Sequence, residues 1–158
     1  MAVTTVTKSS LIDNISKNFY DRLKANVTTV TLVDTSVITI QTYARAYNDT
    51  LLTSNSNYPV LIVDSPKIST ERFTSGKSQV DGTIDIEIYS TSSEASDKFL
   101  SSIINSIETF RDDLLPTGLK NIQIQSTDSD FANKGGFKVH LRRVVFSFKY
   151  YYTTTRSA

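Results

Sequence analysis

The chain of 158 residues contains no cysteine and a single histidine. The first absence removes disulfides, thiolate nucleophiles and sulfur-ligated metal sites, and leaves the redox compartment open. The second leaves His140 alone, and one histidine without cysteine cannot build a typical zinc centre. No serine lies in a G-x-S-x-G elbow, so the usual hydrolase nucleophile is also missing. No apolar run approaches the ~20 residues that a membrane-spanning helix needs. Met1, Ala2, Val3 and Thr4 lack the basic region and apolar core of a secretory signal. A soluble protein that stays where it is made, or leaves by lysis or assembly, is the expectation. Neither sign of charge dominates: the formal net charge is +1, far from the basic field of a dedicated nucleic-acid binder.

Hydroxyl side chains are abundant instead. Serine and threonine make up roughly a quarter of the residues, above ordinary usage. Threonine-bearing strands account for this. So does a surface kept uncharged because subunits pack against it, since interface cores are depleted in charge.

The clearest pattern runs from Val80 to Leu115. Ile84, Ile86 and Ile88 alternate with Asp85, Glu87 and Tyr89, which predicts a half-buried strand over residues 82–89. Thr91 and Glu94 have the spacing of a capping box. Beyond them Phe99, Leu100, Ile103, Ile104, Ile107, Phe110, Leu114 and Leu115 share one arc of a long helix, ended by Pro116 and Gly118. A first helix spans residues 11–23, with Leu11, Ile12, Ile15, Phe19 and Leu23 on one face and Asn26 as a left-handed stop. Residues 27–33 and 37–43 read as a hairpin around Asp34, Thr35 and Ser36.

The segment 47–57 reads as an exposed, mobile loop, 60–63 as a strand buried on both faces, and 65–78 as a polar link anchored by Phe73. Residues 121–125 form a strand, 126–136 a polar loop, and 137–152 a long last strand. In that strand Phe137, Val139 and Leu141 are out of phase with Val144, Phe146 and Phe148, which predicts a β-bulge at Arg142 and Arg143. Helices do not alternate with strands, so the expected class is α+β. One domain spanning residues 1–158 is expected, with a mostly antiparallel sheet, two helices packed on one face, and an exposed hairpin and loop at about 27–57.

Candidates for chemistry are few. Asp85 and Glu87 share a strand face and read as solvated. Asp128 and Asp130 lack the glycine and closing glutamate of an EF-hand loop, and Gly135–Gly136 lacks the spacing of a phosphate loop. Lys138, His140, Arg142, Arg143 and Lys149 make the last strand locally basic, next to Tyr150, Tyr151 and Tyr152. Cations on an exposed strand also guard it against wrong pairing. No catalytic residue, metal or cofactor is assigned.

The opening helix 11–23, the segment Tyr58-Pro59-Val60-Leu61-Ile62-Val63, the strand 82–89 leading into the helix 95–115, and the aromatic strand 137–152 carry a resemblance. Their order resembles the tail terminator and tail-completion (neck) proteins of long-tailed bacteriophages, although the hairpin and loop of 27–57 are longer than that pattern. The resemblance implies a structural virion protein, not an enzyme. It would form a ring, with six copies the usual count, at the head-proximal end of the tail tube. The ring would end polymerisation and join tail to head connector, and DNA would pass through without sequence recognition. Implied partners are further copies of the chain, the tail tube protein and the head connector or neck proteins, with no membrane. The uncharged helix face at Ser102, Asn105, Ser106 and Thr109, or the sheet edges, would join subunits. The loops bearing Tyr47, Asn48, Asp49, Asn55, Asp128, Asp130, Phe131 and Lys134 would meet partners. A head-completion adaptor, or a small intracellular ligand-binding domain or enzyme, stands as the alternative.

Overall fold

The structure, a computed structural model, describes residues 4–6, 10–46, 49–74, 77–134 and 136–154. In chain order the elements are β1 (Thr4–Val6), α1 (Leu11–Asn26), β2 (Thr29–Thr31), β3 (Val37–Thr39), β4 (Thr42–Ala44) and α2 (Asp49–Leu52). There follow β5 (Val60–Val63), β6 (Lys67–Thr74), β7 (Lys77–Ser90), α3 (Ser93–Leu114), β8 (Leu119–Lys134) and β9 (Phe137–Thr154). Seven strands form one mostly antiparallel sheet, and β2 and β3 pair separately as a hairpin. Within the sheet β9 lies between β7 and β8, while β5 and β6 share the far side of β7. Two short pairs are parallel, β1 with the end of β9 and β4 with β5. The class is α+β.

One face of the sheet carries the main core. Ile84, Ile86 and Ile88 of β7, Val144, Phe146, Phe148, Tyr150 and Tyr152 of β9, and Leu61 and Val63 of β5 meet α1 and α3 there. The helices supply Ile15, Phe19 and Leu23, then Phe99, Ile103 and Ile107, all essentially inaccessible to water. Phe19 sits over Phe146 and Phe148, with ring centroids 6.4 and 5.9 Å apart. Each such side chain stabilises the fold by roughly 1.5–3 kcal/mol through burial.

The opposite face carries a second, smaller core of Leu52, Tyr58, Val60, Ile62, Tyr89 and Val139, with Phe137 and Leu141 against it. This explains why β5 is buried along both sides. It also overturns the bulge expected at Arg142 and Arg143: the β7–β9 ladder runs without interruption, Glu87 opposite Arg143 and Ile88 opposite Arg142. The apolar phase changes because the two ends of β9 bury opposite faces. The irregularities lie instead on β8, between Lys120 and Gln123 and between Ile124 and Ser126.

Five further expectations are corrected. The helix N-cap is Ser92, whose Oγ accepts from the Ala95 amide at 3.3 Å, so the capping box at Thr91 does not form. Glu94 is engaged elsewhere: its carboxylate accepts from the Val33 amide at 2.7 Å and pins the hairpin turn to α3. Asn26 belongs to α1, and the chain leaves that helix through an extended Val27, not a left-handed residue. The segment 65–78 is no link, because its residues build β6 and the start of β7. Nor is 47–57 a bare loop, since α2 and a 3₁₀ turn at Asn55–Asn57 pack through the buried Leu52. Finally, β8 runs as strand from Leu119 to Lys134 where a loop over 126–136 was expected. Polar composition misleads at β6 and β8 because an edge strand needs few apolar side chains when its ladder bonds are satisfied on one side. The side chains of Phe73 and Phe110 lie outside the described residues.

Candidate functional site

The uncharged helix face divides. Asn105 and Thr109 are exposed, with Thr109 Oγ1 3.3 Å from Asn105 Oδ1, and Ser102 is half-buried. Ser106 is only 4% exposed, and its hydroxyl finds no partner among the described residues. Its side chain therefore faces inward and is not part of a docking surface. Among the expected contact loops, Tyr47 and Asn48 lie outside the described residues. Asp49 opens α2, and the exposed Asn55 opens the 3₁₀ turn. Asp128, Asp130, Phe131 and Lys134 stand on β8, and its partner β9 holds them in register. The Asp130 carboxylate accepts from the Phe131 amide at 2.7 Å, and Lys138 Nζ lies 4.5 Å from the centre of the Phe131 ring.

Where the second core ends, charge replaces it. Glu87, read from sequence as solvated, is 6% exposed. Its carboxylate accepts from Tyr89 Oη at 2.6 Å and from Arg143 Nε at 3.3 Å. Arg143 also reaches Asp128 at 3.3 Å, so a single guanidinium joins β7, β9 and β8. Asp64, just past β5, is drawn into the same cluster. Burial, a hydrogen bond to Glu87, and the charges of Glu87 and Asp85 raise its pKa to about 7. The protonated form of Asp64 is thus favoured well above the usual carboxylate range. Strand alternation alone could not reveal this, because the partners come from four separate elements.

Below the cluster the same face is polar. Gln79, Asp81, Thr83, Val145, Ser147 and Lys149 are half-buried and belong to neither apolar cluster. Register places Lys120 beside Lys149 and Lys149 beside Asp81, two cations next to one acid. On the face beneath the helices, Arg142 is tied to α3 through Asp97 at 2.6 Å and Ser93 at 3.0 Å. His140 follows, its backbone carbonyl accepting from Ser96 Oγ at 3.3 Å. Burial, Lys138 and Arg142 push its imidazole pKa down, favouring the neutral ring.

Among the described residues no group of three or more histidine, aspartate or glutamate side chains could hold a metal ion. No described helix is long and apolar enough to cross a membrane. No protein-family model matches the chain, and no curated protein matches it either.

What the arrangement offers is surface. Among the described residues β8 pairs only with β9, and β6 only with β7, which leaves a free margin on each side of the sheet. Each margin is irregular in part, β6 between Ile68 and Thr70 and β8 in its first half. The second half of β8, residues 126–134, is regular and exposed on both faces.

Proposed function

We propose that the chain is a structural virion subunit that closes into a ring at the head-proximal end of a phage tail tube. There it ends tube growth and joins the tail to the head connector. Its place of action would be the neck of the assembled particle, reached from the host cytoplasm. The observation that carries the reading is the pair of free sheet margins. Four long strands lie in the order β8, β9, β7, β6, each antiparallel to the next, so the two margins run in opposite directions. The β8 of one copy beside the β6 of the next would continue the antiparallel alternation. Such a head-to-tail contact closes into a ring when its rotation permits and otherwise runs on as a filament.

The polar face supports the same reading. A lumen wall where Lys120 and Lys149 stand beside Asp81 carries both signs of charge and no large field, so DNA would slide past without being held.

The test is tail assembly without this subunit. Tubes of uncontrolled length, or tails that fail to join heads, are the expected result. Normal head-attached tails would end the reading. The mass of the purified assembly then gives the copy number, with about six expected from the resemblance.

A further inference from the structure

The β2–β3 hairpin presents a surface that the fold does not use. Its inward side chains, Val30, Leu32 and Ile38, pack on the main core, while Thr29, Thr31, Val33, Val37 and Thr39 point outward. Val33 is 85% exposed and Val37 61%, the highest values among the large exposed apolar side chains apart from Phe131. These valines are not floppy. The turn is held by the Leu32 amide on the Ser36 carbonyl at 2.8 Å, the Thr35 amide on the Leu32 carbonyl at 2.9 Å, and the Val33 amide on Glu94 at 2.7 Å. A rigid, uncharged, β-branched ridge costs little entropy to dock.

A hollow of matching size lies on the other margin of the sheet. The hairpin base joins the sheet through the Gln41 amide on the Pro59 carbonyl at 3.0 Å, beside β4 and β5. The hollow opens beside β8, floored by Tyr89, Val139 and Leu141 and edged by Ala132 and Lys134. Its volume of about 140 Å³ is close to the ~150 Å³ cavity that admits a benzene ring, room for one or two valine side chains. The charges also match. Asp34 stands at the hairpin turn, and Lys134 stands on the rim of the hollow. The one acid on that rim, Asp130, is turned to the Phe131 amide.

We propose that Val33 and Val37 of one copy seat in the hollow on Tyr89, Val139 and Leu141 of the next, with Asp34 facing Lys134. The occupant is therefore a second copy of this chain, held head to tail. The inference rests on the ring reading above and names its contact.

Because the chain has no cysteine, the contact can be probed with single thiols. Val33→Cys and Ala132→Cys proteins are prepared separately, mixed at a concentration where the wild type assembles, and oxidised. A cross-linked dimer in the mixture and in neither protein alone is the expected result, and the double variant should give a ladder ending at the ring number. Val33→Asp, at an exposed position, should keep its melting temperature yet need at least tenfold more protein to assemble. Assembly at full ring mass with no Val33–Ala132 cross-link overturns this contact and leaves the ring reading standing. Cross-linking of Val33→Cys with itself alone overturns the head-to-tail geometry. A chain that stays monomeric, with and without tail tubes, overturns both.

Discussion

The two faces of the sheet are built from alternate residues of the same strands, yet they obey different rules. Under α1 and α3, Ile84, Ile86 and Ile88 meet Phe146 and Val144 in a dry core. One residue out of phase, Asp85, Glu87 and Tyr89 meet Arg143 and Asp128 in a network of charge. The first face is held by area removed from water, and a charge placed there has no partner. The second is held by pairing, so its strength depends on which protons are bound. A β-strand can thus serve packing and pairing at once, with register as the only link between them.

The largest expected effect comes from placing charge on the dry face. Ile107 is 1% exposed, and Ile107→Asp would bury an unpaired carboxylate, so the purified variant should show no cooperative thermal transition. Next, Phe146→Ala should cost about 3–5 kcal/mol in denaturant titration, whereas Val145→Ala, the neighbouring residue on the other face, should cost about 0.5 kcal/mol. Equal losses at the two positions would erase the distinction between the faces. A backbone change should fall between these values. Gly118 has φ +98°, and a Cβ there would stand 2.4 Å from the Tyr151 carbonyl oxygen, so Gly118→Ala should lower stability by about 1–3 kcal/mol.

The charged face sharpens the comparison through pH. The folded state holds the Asp64 proton up to about pH 7, against 3.8 for a free side chain. Between those values the folded chain binds more protons than the unfolded one, so this group's contribution to stability falls as pH rises through that window. Below about pH 4 the penalty is absent, and above about pH 7 it is complete. In Asp64→Asn the amide can donate to Glu87 at any pH. Melting temperatures of this variant should therefore change less from pH 4 to 7.5 and exceed the wild type at the upper end. Parallel profiles for the two proteins would show that Asp64 does not carry the proton.

The dry face was legible in the sequence, because period-two and period-3.6 patterns report directly which side of an element is apolar. Ile84, Ile86, Ile88, Phe99, Ile103 and Ile107 fall where those patterns place them. The other face was not. Glu87 reads as solvated until β9 brings Arg143 beside it and β8 brings Asp128, contacts separated by 56 and 15 residues in sequence. The phase change in β9 invited a bulge because a one-strand reading assumes one buried face. Margins were misread for a related reason: β6 and β8 carry the composition of loops, and only pairing with β7 and β9 makes them strands. Of the expected contact residues, Ser106 was lost to the interior.

The position of β9 has a consequence for how the chain is made. It leaves the ribosome after every other described element, yet it supplies the aromatic floor of the main core and one wall of the second. It also pairs with β1, bringing Thr4 opposite Tyr152. Few early contacts are therefore final ones, and the nascent α1, β7 and α3 wait with their apolar sides uncovered. Such long-range closure folds slowly and leaves open strands exposed to neighbours in the meantime. Synthesis of this chain in a crowded cell should depend on holding the incomplete chain apart from its siblings until β9 arrives.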